Sequence, residues 1–232
     1  MVFVDVGWPQ KRLLPGCLWV AHGGLWKNIN KTPVRNRKLD NLAFIKAERR
    51  NQRRKRGKTM IIRQATREDA AAIAEIYNEA VINTVAIWND DTVSAENRIA
   101  WMEAHWDKDY PVFVATLDDE VAGYATFSDF RDFDGFRYTV ENSIYVHPNF
   151  QGRGIGGALL QVTIDAAREA GKHVLVAAID GSNEGSIALH EKYGFQRVGL
   201  LPQVGTKNGR WLDMLLMQVM LTDEQPPAQP RA

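Results

Sequence analysis

The chain predicts an α/β domain with a mixed central sheet flanked by helices, preceded by a basic N-terminal extension. Three observations carry that expectation. Downstream of Met60, short strand-like apolar runs alternate with runs whose apolar residues recur every three to four positions. A glycine-rich loop, Gly152-Arg153-Gly154-Ile155-Gly156-Gly157, joins one of those strands to an apolar helical pattern. The charge is split along the chain: residues 1–59 hold 15 Lys/Arg against 3 Asp/Glu, and the rest of the 232 residues hold 14 against 25. A net charge of +1 therefore conceals two segments of opposite sign.

Residues 1–58 show no sustained period of 2 or 3.6 and end in KAERRNQRRKRGK, eight basic residues and one acid in thirteen. They read as a poorly ordered, solvated tail, or as sequence lying ahead of a start at Met60. The sharper alternative is a nucleic-acid-binding arm whose Lys/Arg neutralise phosphates. The acidic balance of the remainder disfavours nucleic acid elsewhere. Cys17 is the single cysteine, so no intrachain disulfide is expected and a reducing, cytoplasmic compartment fits. The apolar stretch LLPGCLWVAHGGLW is broken by Pro15, Gly16, Gly23 and Gly24 and lacks a cleavage signature. No apolar run reaches the roughly 18 residues that span a bilayer, so no membrane association is expected.

Each downstream element has its own signal. MIIRQA reads as a strand, and Thr66 can cap the helix that follows, in which Ile73, Ile76, Ala80 and Val81 share one face. TVSAENRIAWMEAHW predicts a second helix with Ser94 at its N-cap. PVFVATL and EVAGYATFSDF predict two strands joined by Asp118-Asp119, and TVENSIYV a third before the glycine loop. HVLVAAI reads as a buried strand, NEGSIALHEKYGF as a helix stopped by Gly194, and GRWLDMLLMQVML as a long closing strand. The domain is expected over residues 60–222, with DEQPPAQPRA placing a disordered tail at 223–232.

Gly152-x-Gly154-x-x-Gly157 matches a dinucleotide fingerprint literally, and Asp180 lies where a ribose-binding acid would. In that fold, however, the first glycine follows its strand directly. Here His147 to Gln151 intervene. What the loop can do is bring successive N–H groups and a helix N-terminus close to an anion, with Arg153 adding a full charge. That suits a pyrophosphate.

Gln151-x-x-Gly154-x-Gly156 resembles the Q/R-x-x-G-x-G/A motif of the GNAT acyltransferases, and NEGSIALHEKYGF resembles that family's later N-x-x-[AS]-x-x-L-[YH]-x-x-x-G-F helix. AIWND, GYATFSDFRDFDGFRYTVENSIYVHP and PQVGTKNGRWLDMLLMQ are similar to its phosphinothricin and methionine-sulfoximine N-acetyltransferase branch, over about residues 60 to 222. The resemblance implies a GNAT fold and acetyl-CoA as acyl donor, with no metal. It implies that Gln151, Gly152, Arg153, Gly154, Ile155, Gly156 and Gly157 hold the pyrophosphate. Ile144, Tyr145 and Val146 would lie along the pantetheine arm, and Asn183 and Ser186 would also contact the donor.

N-acetylation needs a neutral amine, so a base must take a proton from the ammonium. Glu141, just ahead of NSIYV, is the candidate, and the resemblance places the catalytic carboxylate there; the alternative is a strand glutamate facing solvent. The attacked carbonyl needs a donor for its developing charge, and the resemblance implies that a backbone N–H near Val146 supplies it. Many family members carry a tyrosine acid where this chain has His190, which could donate a proton, bond the sulfur, or pack. Residues 60–222 contain no cysteine, which excludes a cysteinyl acyl-enzyme and leaves direct attack in a ternary complex. Arg131 and Arg137 offer planar forks for a polar or anionic head, walled by Phe130 and Phe133, and the resemblance points to the same loop; the alternative is a surface hairpin with solvated arginines. Trp88 and residues 207–211 would close the site, from the same or a neighbouring subunit, and the resemblance implies a homodimer. The expected acceptor is a small amino acid; another amine, such as a protein N-terminus or an antibiotic, is the alternative within the fold. A CoA-binding module without turnover is a further alternative.

Overall fold

The structure is a computed structural model that describes residues 19–22, 25–28, 59–223 and 225. Cys17, the basic run at 46–58 and most of the C-terminal tail lie outside the described residues. The chain divides into two units, Met1–Gly57 and Lys58–Ala232. In the first, β1 (Trp19–His22) and β2 (Leu25–Asn28) pair antiparallel, Trp19 opposite Asn28. Two strands of four residues are too short to register as a sustained period, and the sequence reading did not anticipate them.

The second unit is a seven-stranded mixed sheet with helices on both faces. Its strands are β3 (Met60–Gln64), β4 (Val112–Leu117), β5 (Glu120–Asp129), β6 (Thr139–Val146), β7 (Val174–Asp180), β8 (Gln196–Lys207) and β9 (Arg210–Met220). They lie in the order β3-β4-β5-β6-β7-β9-β8. Its helices are α1 (Ala70–Asn83), α2 (Ala95–Trp106), α3 (Ile155–Glu169) and α4 (Glu184–Lys192).

Local chemistry accounts for these boundaries. A short 3-10 turn, Arg67–Asp69, leads into α1; there the Thr66 N–H and hydroxyl donate to the Asp69 carboxylate at 2.8 and 3.2 Å. Ser94 Oγ accepts from the Asn97 N–H at the start of α2. Between β4 and β5, Asp118 and Asp119 both take positive φ, 56° and 69°. That is the primed turn matching the twist of a hairpin, and aspartate is among the few non-glycine residues that accept it.

One strand of the seven-stranded sheet escaped the sequence reading. β8 is twelve residues long yet exposed along nearly its whole length, and its pairing with β9 slips at Arg197/Gly199 and Leu201/Gly205. Glycine, Pro202 and the slips erase the period-2 pattern that marks a strand. The overlooked signal is Asn208-Gly209, with φ of 51° and 70°, a primed hairpin turn linking β8 to β9.

Three apolar clusters fix the layers. Val140, Leu160, Ile164, Leu175 and Met217 pack α3 on one face. Ile73, Ile76, Met102, Val114 and Tyr124 pack α1 and α2 on the other. Phe113, Ala125, Ile155 and Leu159 extend the α3 layer. Side chains alternate along a strand, so Val140, Asn142, Ile144 and Val146 of β6 face α3 and α4. Glu141, Ser143 and Tyr145 face α1 and α2 by the same rule.

Candidate active site

β6 and β7 are parallel neighbours for only three residue pairs: Thr139 with Val174, Val140 with Leu175, and Glu141 with Val176. Beyond Glu141 the two strands diverge. β6 stays paired with β5 out to Val146, and β7 stays paired with β9 out to Asp180. The divergence opens a cavity of about 520 Å³ through the sheet. Ile76, Glu79, Ala80, Thr84 and Ala86 line it on the α1 side, and Ile155, Gly156, Leu189 and His190 on the α3 and α4 side.

Most of the predicted donor residues meet there. Ile144, Tyr145, Val146, Gln151, Gly152, Gly154, Ile155, Gly156, Gly157, Asn183, Ser186 and His190 all line the cavity. Gly154 sits at the N-cap of α3 with φ 80° and ψ 0°, a left-handed conformation that glycine adopts without penalty. The free N–H groups of the first α3 turn follow it directly. Gly157 answers a different constraint: a methyl group there would come within 2.6 Å of the Tyr193 hydroxyl. The third glycine therefore serves packing of Tyr193 on α3. Arg153 turns back, donating to the Asn149 carbonyl at 2.9 Å, and does not line the cavity.

Asp180, which spacing left open as a ribose ligand, accepts from the Ser182 N–H at 2.9 Å and from the Ser182 hydroxyl. It holds its own turn. Asn183 Oδ1 accepts from the Ser186 N–H at 3.0 Å, capping α4.

His190 is 4% exposed, with Phe195 edge-on to its ring. Its Nδ1 lies 2.8 Å from the Ser186 carbonyl, which can only accept, so Nδ1 carries the proton. Nε2 then accepts from Asn142 Nδ2 at 3.2 Å. Both ring nitrogens are engaged. Burial lowers the pKa of His190, against the Ser186 carbonyl, and burial likewise lowers that of His105. In the unfolded chain both would protonate as the pH falls through about 6.5, while the folded protein resists. Stability is therefore expected to decline as pH drops below about 6.5, to be checked by melting temperatures between pH 5 and pH 7.5; a flat profile would contradict the neutral, buried imidazoles.

Glu141 occupies the last paired position before the strands diverge, opposite Ser128 and Val176. It is half-buried, and burial raises its pKa while the Arg131 guanidinium pulls the other way. Tyr145, on the same face and at the cavity wall, has a phenol pushed up to about 12, chiefly by burial, so it remains a hydroxyl donor.

The acceptor candidates lie outside the cavity lining. Phe130, Arg131, Phe133 and Arg137 belong to the segment between β5 and β6, with Phe133 74% exposed. Arg131 lies over the Phe130 ring and donates to the Phe130 carbonyl. The segment is fastened at both ends. Asp129 accepts from the Tyr110 hydroxyl and from Lys108, and Lys172 donates to the Arg137 carbonyl at 2.9 Å and to Tyr110. Trp88 is half-buried, its indole N–H donating to the Val85 carbonyl.

Sequence reasoning missed the α1 wall, above all Glu79, a carboxylate that lines the cavity where Glu141 does not. Its signal was a charged residue three positions after Ile76, on the edge of an apolar helical face. Among the described residues there is no cluster of His, Cys, Asp or Glu able to hold a metal ion, and no helix is long and apolar enough to cross a membrane.

A glycine-capped helix aimed into a parting between two parallel strands is the architecture of an acyl-CoA-binding transferase. Residues 70–195 match the model of the acetyltransferase (GNAT) family, and the chain belongs to that family. It is 55% identical over 168 residues to L-amino acid N-acyltransferase MnaT of Escherichia coli, covering 72% of this chain and 98% of that protein. It is 54% identical, over the same shares, to an L-methionine sulfoximine/L-methionine sulfone acetyltransferase of Salmonella typhimurium. The solved structure of yncA from Salmonella typhimurium with its cofactor acetyl-CoA superposes with a TM-score of 0.71 at 54% identity, covering 72% of this chain and 97% of that one. The cradle on this chain fits such a donor: free N–H groups at a long helix N-terminus, an open glycine loop, and a cavity that opens where β6 and β7 part after Glu141.

Proposed function

We propose that this chain transfers the acetyl group of acetyl-CoA to the α-amine of a small amino acid with a tetrahedral, oxygen-bearing head. Methionine sulfoximine, methionine sulfone and phosphinothricin are acceptors of that kind. The observation that carries the reading is Glu141 at the last paired position of β6 and β7, just before the strands part to open the cavity. The phosphate cradle lies on the α3 side and the carboxylate on the α1 side, so donor and acceptor approach from opposite faces. The substrates named for the two bacterial relatives support the acceptor class.

Acetyl-CoA, when bound, supplies an activated thioester carbonyl. The first-turn N–H groups of α3 and the 151–157 loop hold its pyrophosphate. Glu141 takes one proton from the acceptor ammonium, directly or through water, and passes it to solvent. A β6 N–H near Val146 polarises the carbonyl oxygen. The bond from the amine nitrogen to the carbonyl carbon forms and the C–S bond breaks; the second proton leaves the nitrogen through water and protonates the departing thiolate, giving a neutral amide and free CoA thiol. His190, neutral and bonded through both nitrogens, holds the Asn142 amide in place. Arg131 and Arg137, with Phe130 and Phe133, receive the acceptor's head, and Trp88 closes the site.

Glu79 supports a second reading of the base, because it lines the cavity and Glu141 does not. Residues 60–222 form the catalytic domain in either case. A cytoplasmic homodimer belongs to the proposal, supported by the exposed Val198, Leu200, Val204 and Trp211 on the β8–β9 hairpin. Thiol release should be followed with acetyl-CoA and methionine sulfoximine, phosphinothricin, glutamate or spermidine. Turnover of the first two, retained in a chain starting at Met60, is the expected result. Silence with every amino acid despite acetyl-CoA binding would redirect the search to peptide amines.

A further inference from the structure

Lys207 ends β8 with 5% of its surface exposed, an uncommon state for a lysine that forms no ion pair among the described residues. Its ammonium donates to two backbone carbonyls, those of Val81 and Ile87, each at 2.5 Å. Val81 lies in the last turn of α1, where carbonyls lack partners within the helix and the helix dipole favours a cation. Ile87 lies beyond the helix end. One ammonium thus ties the segment 84–88 back onto α1.

Gly205, two residues before Lys207, presents the same face of β8. A methyl group on Gly205 would lie 2.2 Å from two carbons of the Trp88 ring, so the indole packs directly against that backbone. The lysine and the glycine together clasp residues 84–88 from one strand. Thr84 and Ala86 of the clasped segment line the cavity on the α1 side, the side Glu141 faces.

We propose that Lys207 is a positioning residue for the acceptor: by holding the Val81 and Ile87 carbonyls it fixes residues 84–88, and Trp88 with them, as one wall of the acceptor site. The inference rests on the acceptor reading above and adds the residue that sets that wall. The donor cradle, on the opposite face, makes no use of the clasp.

The test uses the full chain and two variants. Lys207→Met removes the ammonium and keeps the stem. Gly205→Ala leaves Lys207 intact and displaces Trp88 from the other side of the clasp. For each, KM for methionine sulfoximine, KM for acetyl-CoA and kcat are measured well below the melting temperature. The expected result in both is an acceptor KM raised about tenfold, the scale of losing one or two charge-assisted hydrogen bonds. The acetyl-CoA KM should stay within about twofold. The double variant should resemble the worse single one, because both open the same clasp. A folded variant with an unchanged acceptor KM overturns the proposal, as does an equal rise in both KM values. If Lys207→Met does not fold, Gly205→Ala decides alone by the same criteria. Wild-type inactivity toward methionine sulfoximine would instead sink the acceptor reading itself.

Discussion

Replacing Glu141 with glutamine is expected to lower kcat/KM for the amino acid by about 10²–10⁴-fold, the range for losing a positioned base, and to raise the melting temperature at neutral pH. The two effects share one cause. Burial at the parting of β6 and β7 makes ionisation of Glu141 unfavourable, so its pKa is raised despite Arg131. The unfolded chain releases that proton at lower pH than the folded protein, and each further step upward in pH favours unfolding until the folded carboxyl has also ionised. At neutral pH the native state carries that penalty in full, and glutamine removes it. The acidic limb of the kcat/KM profile should accordingly lie above the usual carboxylate range in the wild type and disappear from the residual activity of Glu141→Gln. Glu79→Gln is the control: if it abolishes turnover while Glu141→Gln does not, the base is on α1.

Gly154→Val is expected to weaken acetyl-CoA binding by about 10- to 100-fold, the equivalent of one or two hydrogen bonds to a charged group, with a cost of about 1–2 kcal/mol in stability from a side chain forced into the left-handed region. A Cβ at Gly154 would meet no atom within 4 Å, so steric conflict inside the folded protein does not contribute. The loss must come from backbone strain and from filling the space where a phosphate approaches. Calorimetric titration with CoA, beside thermal melts, separates the two. Strong destabilisation with unchanged affinity would mean that the loop shapes the helix and not the ligand site.

The contrast between what the sequence disclosed and what it hid has a physical basis. β6 was legible to the residue because TVENSIYV is rich in β-branched and aromatic residues and sets Val140, Ile144 and Val146 at even spacing, and the α3 start because a glycine loop precedes an apolar helical run. Ser94 and Asp118-Asp119 act locally, through neighbours in sequence. β8 was invisible because an exposed, slipped edge strand has no buried face to impose alternation. Lys207 was invisible for another reason: its partners are more than a hundred residues away, and nothing in KNGRW says that the lysine is buried. Glu79 falls between, signalled only by a charge at the margin of an apolar stripe.

A seven-stranded sheet ordinarily has two edges; this one has four. The outer pair meets the hazard of strand addition in familiar ways: β3 is five residues long, and β8 is broken by Pro202 and two slips in register. The inner pair, β6 beyond Glu141 and β7 beyond Val176, needs neither device. Those two edges confront each other across a gap roofed by helices on both faces, too far apart to zip together and too enclosed for a foreign strand with side chains to enter. The protein can therefore keep a row of peptide groups without a strand partner inside its own fold without inviting aggregation, and the enclosure that makes this safe also restricts entry to a thin, flexible chain.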